Sequence, residues 1–176
     1  MELRRTLNGA LAGAVAAGVW AAQQPLDMRL FGSDYDDTEL LGKLVTSGDA
    51  WPTAGTAIHV ANGAVFGAVY SLARPFIPGP PLTAGVAAAL AEHLASWPLG
   101  ALVDRHHPAR GDLENLGGNA RAFVQATWRH LLFGLVLGEL ERRLNPEDEF
   151  EPPPEVPVSS NGHGNIEQAA TAATEA

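Results

Sequence analysis

Between Thr6 and Leu26 the chain carries no charged residue, and between Ala50 and Ala73 it again carries none. Hydrocarbon about 30 Å thick is crossed by roughly 20 helical residues, so each run is long enough to span a bilayer. Two more segments are interrupted once: Leu82 to Val103 by Glu92, and Ala122 to Gly138 by Arg129. The pattern predicts an all-α fold, a four-transmembrane-helix bundle in one domain (1–145), with spans at about 7–26, 54–73, 82–103 and 121–140. A soluble bundle would need a charged outer face on each helix, and the first two runs have none. The competing reading of the first run is a cleaved signal peptide, since Arg4 and Arg5 precede it and Val19-Trp20-Ala21 fits a small-residue cleavage site. The three later spans favour an uncleaved helix.

Between the spans the punctuation is that of short connections. Arg74-Pro75 and Pro78-Gly79-Pro80-Pro81 predict a tight hairpin between the second and third spans. The longer first loop, Asp27 to Trp51, places Leu40, Leu41, Leu44 and Val45 at helical spacing, which suits an amphipathic connector or a segment lying on the membrane surface. Beyond Asn145-Pro146 the composition shifts to Pro, Glu, Ser, Gly and Ala, which predicts a disordered acidic tail over 146–176. Much of the net charge of −9 lies there, in Glu147, Asp148, Glu149, Glu151, Glu155, Glu167 and Glu175 with no Lys or Arg among them. That acidity argues against nucleic acid as a partner, which needs a basic face. The lipid bilayer is the expected partner, with a homo-oligomer or another membrane protein left open. With no cysteine, disulfides and thiolate metal sites are excluded. Arg4, Arg5, Arg142 and Arg143 flank the terminal spans and favour termini on the cytoplasmic side.

Small residues recur at four-residue spacing, as Gly9 and Gly13, Gly63 and Gly67, and Gly134 and Gly138, and are read as close helix packing. The first and third spans share Ala-Gly leading to Pro-Leu (Ala12-Gly13 with Pro25-Leu26, Ala84-Gly85 with Pro98-Leu99). The second and fourth share Phe-Gly (Phe66-Gly67, Phe133-Gly134). Both patterns are those of a duplicated helical hairpin.

A charge at mid-bilayer costs about 2.5 to 3.5 kcal/mol, so Glu92 and Arg129 need partners. The expected partner of each is the other. Glu92 lies about 16 Å along its helix from Val103, and Arg129 about 12 Å from Arg121 on an antiparallel neighbour. Gln125 and Ser96 stack on the same faces, and His59, Asn62, His93, Trp97, Trp128, His130, Gln23 and Gln24 fall at nearby depths. These residues predict a polar pocket opening toward the two larger loops. Four readings of it stay open: a network that only holds the helices together, a site binding or passing a small solute, ion or proton, a metal or haem held by His59, His93 and His130 with Glu92, and a hydrolase with Glu92 as base. No cofactor is expected, since no H-E-x-x-H spacing supports a metal, and an enzyme is the less favoured class. His106-His107 reads as a pair of solvated loop histidines.

From His59 onward, His59-Val60, Ala64-Val65-Phe66, Gly85 to Leu90, Glu92-His93, Trp97-Pro98-Leu99 and Glu139-Leu140-Glu141-Arg142-Arg143-Leu144 are similar to the YagU-type family of small multi-pass bacterial inner-membrane proteins. The likeness covers about half the chain. It implies an inner-membrane location and no particular chemistry. The family pattern has a residue other than Glu before the central His, so Glu92 departs from it.

Overall fold

The computed structural model describes residues 2–146, so the expected acidic tail lies outside the described residues. Within them the chain is helical, with no strand: α1 (Glu2–Phe31), α2 (Asp37–Val45), α3 (Trp51–Ala73), α4 (Pro81–Ser96), α5 (Gly100–His106) and α6 (Ala120–Leu144). The helix of α1 runs through Pro25, although a proline removes one backbone donor, and ends at Gly32, whose positive φ of 61° closes the last turn. The span predicted to stop near Leu26 is therefore longer, and Asp27 is a helical residue. A 3₁₀ turn over Trp97–Leu99, where Pro98 sits, joins α4 to α5. The predicted third span thus continues to His106.

The long helices α1, α3, α4 and α6 pack as antiparallel pairs. Gly9 and Gly13 of α1 meet Gly67 and Gly63 of α3 so closely that a methyl group at Gly13 would overlap the Gly63 carbonyl. Gly85 of α4 meets Gly134 and Gly138 of α6 in the same manner. Such seams hold helices where lipid supplies no hydrophobic drive, because close backbone approach maximises van der Waals contact. Helix α1 also packs along α6, whereas α3 and α4, consecutive in the chain, hardly touch. They meet at the linker end, where Tyr70 donates to the Pro81 carbonyl at 3.1 Å and Arg74 donates to the Ile77 and Gly79 carbonyls.

The predicted amphipathic connector is the short helix α2, with Asp36 capping it through Glu39 N–H at 2.8 Å. It crosses the start of α3 at backbone distance, Gly42 against the Trp51 carbonyl and Gly55 against the Thr38 carbonyl. Leu44 and Val45 point outward.

Two helical runs, Trp51–Phe76 and Pro81–His106, are long and apolar enough to cross a membrane. Only 28% and 17% of their most apolar windows are buried, whereas a core helix of a soluble protein is mostly buried. The other two expected spans, α1 and α6, do not meet that standard. Their inner faces carry Gln24, Asp27, Gln125, Arg129 and Glu141, all buried. Their outer faces are apolar, with Leu3, Leu7, Leu11, Val15 and Val19 along α1 and Val124, Trp128 and Leu135 on α6. Inside, these polar residues lie beside an apolar core that includes Ala12, Ala16, Trp20, Tyr70, Phe133 and Leu137.

Candidate functional site

A cavity of about 320 Å³ lies between α3 and α4 and is backed by α1, α2 and α6. Its polar lining is Tyr35, Asp37, His59, Asn62, Glu92, Ser96 and His130, and its aromatic lining includes Trp20, Phe66 and Phe133. Asn62 and Glu92 face it from α3 and α4, each exposed.

The expected Glu92 to Arg129 pair does not form. Arg129 is fully buried and turns toward α1, where Nε donates to Asp27 Oδ2 at 2.7 Å and Nη2 to Asp27 Oδ1 at 2.6 Å. Its Nη1 reaches Asp37 Oδ2 at 2.7 Å, and Nη2 also reaches the Tyr35 carbonyl at 3.0 Å. The reason is angular. Successive residues on a helix are separated by about 100°, so Arg129 faces α1 while His130 faces α4. Glu92 pairs with His130 instead, Oε2 to Nε2 at 2.9 Å.

Asp27 is further held by Gln125 Nε2 at 2.7 Å and by Gln23 Nε2 at 2.5 Å. Asp37 accepts from Trp20 Nε1 at 3.0 Å and from the Tyr35 hydroxyl at 2.5 Å. Burial opposes ionisation of Asp37, yet the Arg129 guanidinium and the Tyr35 hydroxyl overcome it and hold its carboxyl below the ordinary range. Burial, and then the Asp37 carboxylate, push the Tyr35 phenol well above its ordinary value, so at neutral pH it remains a donor. Two carboxylates against one guanidinium leave this cluster with one net negative charge, spread over neutral N–H and O–H donors.

The Trp20 indole packs edge-on against both His59, 5.1 Å away, and His130, 4.7 Å away. His93 is buried and stacked on His130 at 4.6 Å. Thr127 gives its hydroxyl hydrogen to the Phe123 carbonyl, so His93 Nε2, 3.0 Å from that hydroxyl, must be the donor. Among the described residues no three of His, Asp or Glu are placed to hold a metal ion. His59 is nine-tenths buried with Nε2 lacking a hydrogen-bond partner.

The remaining predicted residues fall around this core. Gln125 is fully buried behind the cavity with Arg129. Gln24 is buried with Oε1 lacking a hydrogen-bond partner. Trp97 packs edge-on against His93, Tyr35 and Phe123 outside the cavity lining. Trp128 is on the outer face and touches the site only through a 3.3 Å bond to Gln23 Oε1. His107 is not solvated: it is buried, its Nε2 donating to the Leu40 carbonyl at 3.0 Å while Nδ1 accepts from Ala109 N–H. The sequence reading missed Asp27, Asp37, Tyr35 and Trp20. A usable signal existed in Gln23, Gln24 and Asp27, which share a face once the helix is carried through Pro25. Compared with known proteins, the chain matches no protein-family model, no curated protein and no solved structure.

Proposed function

We propose that this chain is a four-span integral protein of a bacterial inner membrane, and that its cavity binds or passes a small polar solute, ion or proton. The observation that carries this reading is a cavity between apolar-faced helices lined by Glu92, Asn62 and His59. Ionisable groups held inside a membrane protein without full internal pairing mark pathways and binding sites. The Arg129 cluster supports a different role for itself. Every nitrogen of its guanidinium is bonded, which suits interhelical fastening. The YagU-type likeness rests on its motif residues alone and is compatible with the location.

The test uses the absence of native cysteine. Asn62→Cys, in sealed vesicles, is expected to react with a charged, membrane-impermeant thiol reagent supplied from the side of α2 and α5. Val65→Cys, on the exposed face of the same helix, is expected not to react. Equal labelling of both would mean a water-soluble bundle, and no labelling of Asn62→Cys would mean a closed, purely structural interior.

A further inference from the structure

The hydrogen bonds of His130 fix more than its orientation. Its Nδ1 lies 2.7 Å from the Ala126 carbonyl, which can only accept, so Nδ1 carries a hydrogen. Its Nε2 then faces Glu92 Oε2 at 2.9 Å. A neutral imidazole in that tautomer has a lone pair on Nε2, and a lone pair does not bond to a carboxylate. One additional proton must sit between the two groups, either on nitrogen as an imidazolium or on oxygen as a carboxylic acid. The pair therefore has one removable proton, and its removal exposes a carboxylate to the cavity.

The surroundings favour a cation as the replacement. Asp27, Asp37 and Arg129 sum to one negative charge along the back wall, and Asp37 lines the cavity itself. Of the groups around the pair, His93 on α4 stacks on His130 and is engaged with Thr127, while His59 on α3 packs against the Trp20 indole of α1. Tyr35, ahead of α2, is tied to Asp37, and Arg129, beside His130 on α6, is bonded to Asp27 and Asp37. None of these supplies a mobile positive charge. The aromatic lining of Trp20, Phe66 and Phe133 suits an organic cation, whereas a bare metal ion needs a cage of oxygen or nitrogen ligands that the described residues do not form. His59 lines the cavity from α3 beside these rings.

Resting on the cavity reading above, we propose that Glu92 and His130 form a proton-exchange site at which a small organic ammonium ion binds and one proton leaves. The balance is one positive charge in and one out. The ammonium sets its charge against Glu92, the shared proton goes to water, and His130 stays neutral with its Nδ1 hydrogen on the Ala126 carbonyl.

The experiment is calorimetric titration of the detergent-solubilised full chain with benzylammonium chloride across a series from about pH 5 to 8, the range in which an imidazole changes charge, in buffers of different ionisation enthalpy, with sodium chloride as the control titrant. About one proton released per bound ion is expected, with affinity rising about tenfold per pH unit while the pair is protonated. Glu92→Gln should abolish both the proton release and the pH dependence. A proton count near zero, equal binding of sodium, or wild-type pH dependence in Glu92→Gln would overturn the proposal. The wild-type proton count decides even if the variant fails to fold. Labelled Asn62→Cys with no benzylammonium binding overturns the exchange site while leaving the cavity reading intact; unlabelled Asn62→Cys overturns the cavity reading.

Discussion

Arg129 and Glu92, alike in the sequence as lone charges within apolar runs, have opposite fates. Arg129 has no exposed surface and a carboxylate at every edge, so Arg129→Gln leaves Asp27 and Asp37 buried without their cation. Breaking such a pair costs about 3–5 kcal/mol. Thermal unfolding in detergent should show that loss, and adding Asp27→Asn should recover part of it, as expected of a coupled pair. Glu92 is 44% exposed and bonded to one histidine, so Glu92→Gln should change stability by less than about 1 kcal/mol in the same assay. Asp37 gives a pH signature. Its folded-state carboxyl titrates below the ordinary value, so its contribution is complete above about pH 4 and is lost as pH falls through the lower folded value. The midpoint of unfolding should hold between about pH 7 and 4 and drop below it. That both charges needed partners was legible from the sequence, but which partners was not. Helical depth placed Glu92 and Arg129 level, while the choice was made by direction around α6 and by two aspartates outside the apolar runs.

Element by element, what could be read was what depends on spacing along one helix. The glycine pairs were legible because small residues one turn apart leave a groove on one face. Their pairing, Gly13 to Gly63 and Gly85 to Gly134, required the neighbouring helix. The seam predicts a sharp contrast on α1. Gly13→Val should disrupt the bundle, seen as loss of the monodisperse peak in size-exclusion chromatography, because the Gly63 and Gly67 backbones occupy the space. Gly18→Val should be tolerated, since nothing lies within 4 Å of that position. The expected end of α1 near Leu26 follows the charge-free run, which stops at Asp27. The helix continues, and that extension is what carries Asp27 under Arg129.

For the molecule as a whole, the arrangement of polar and apolar surface sets the expected topology. Exposed positions at Ser47 and Gly111 belong to the side bearing α2 and the loop after α5, and Pro78 belongs to the opposite end. Single cysteines at Ser47 and Gly111 should be labelled from the same side of the membrane and Pro78→Cys from the other. Ser33, by contrast, is buried and bonded to Glu114 at 2.9 Å, so it makes a poor reporter. The helical character of the chain was legible from run lengths. The inward polar stripes of α1 and α6 were harder to see, because averaging along a sequence mixes the two faces of a helix. The bond between Asp27 and Arg129 joins residues separated by |i−j| = 102. On a ribosome, Asp27 is made long before its cation. The pair can close only after α6 has been made, so this contact belongs to a late step in completing the bundle.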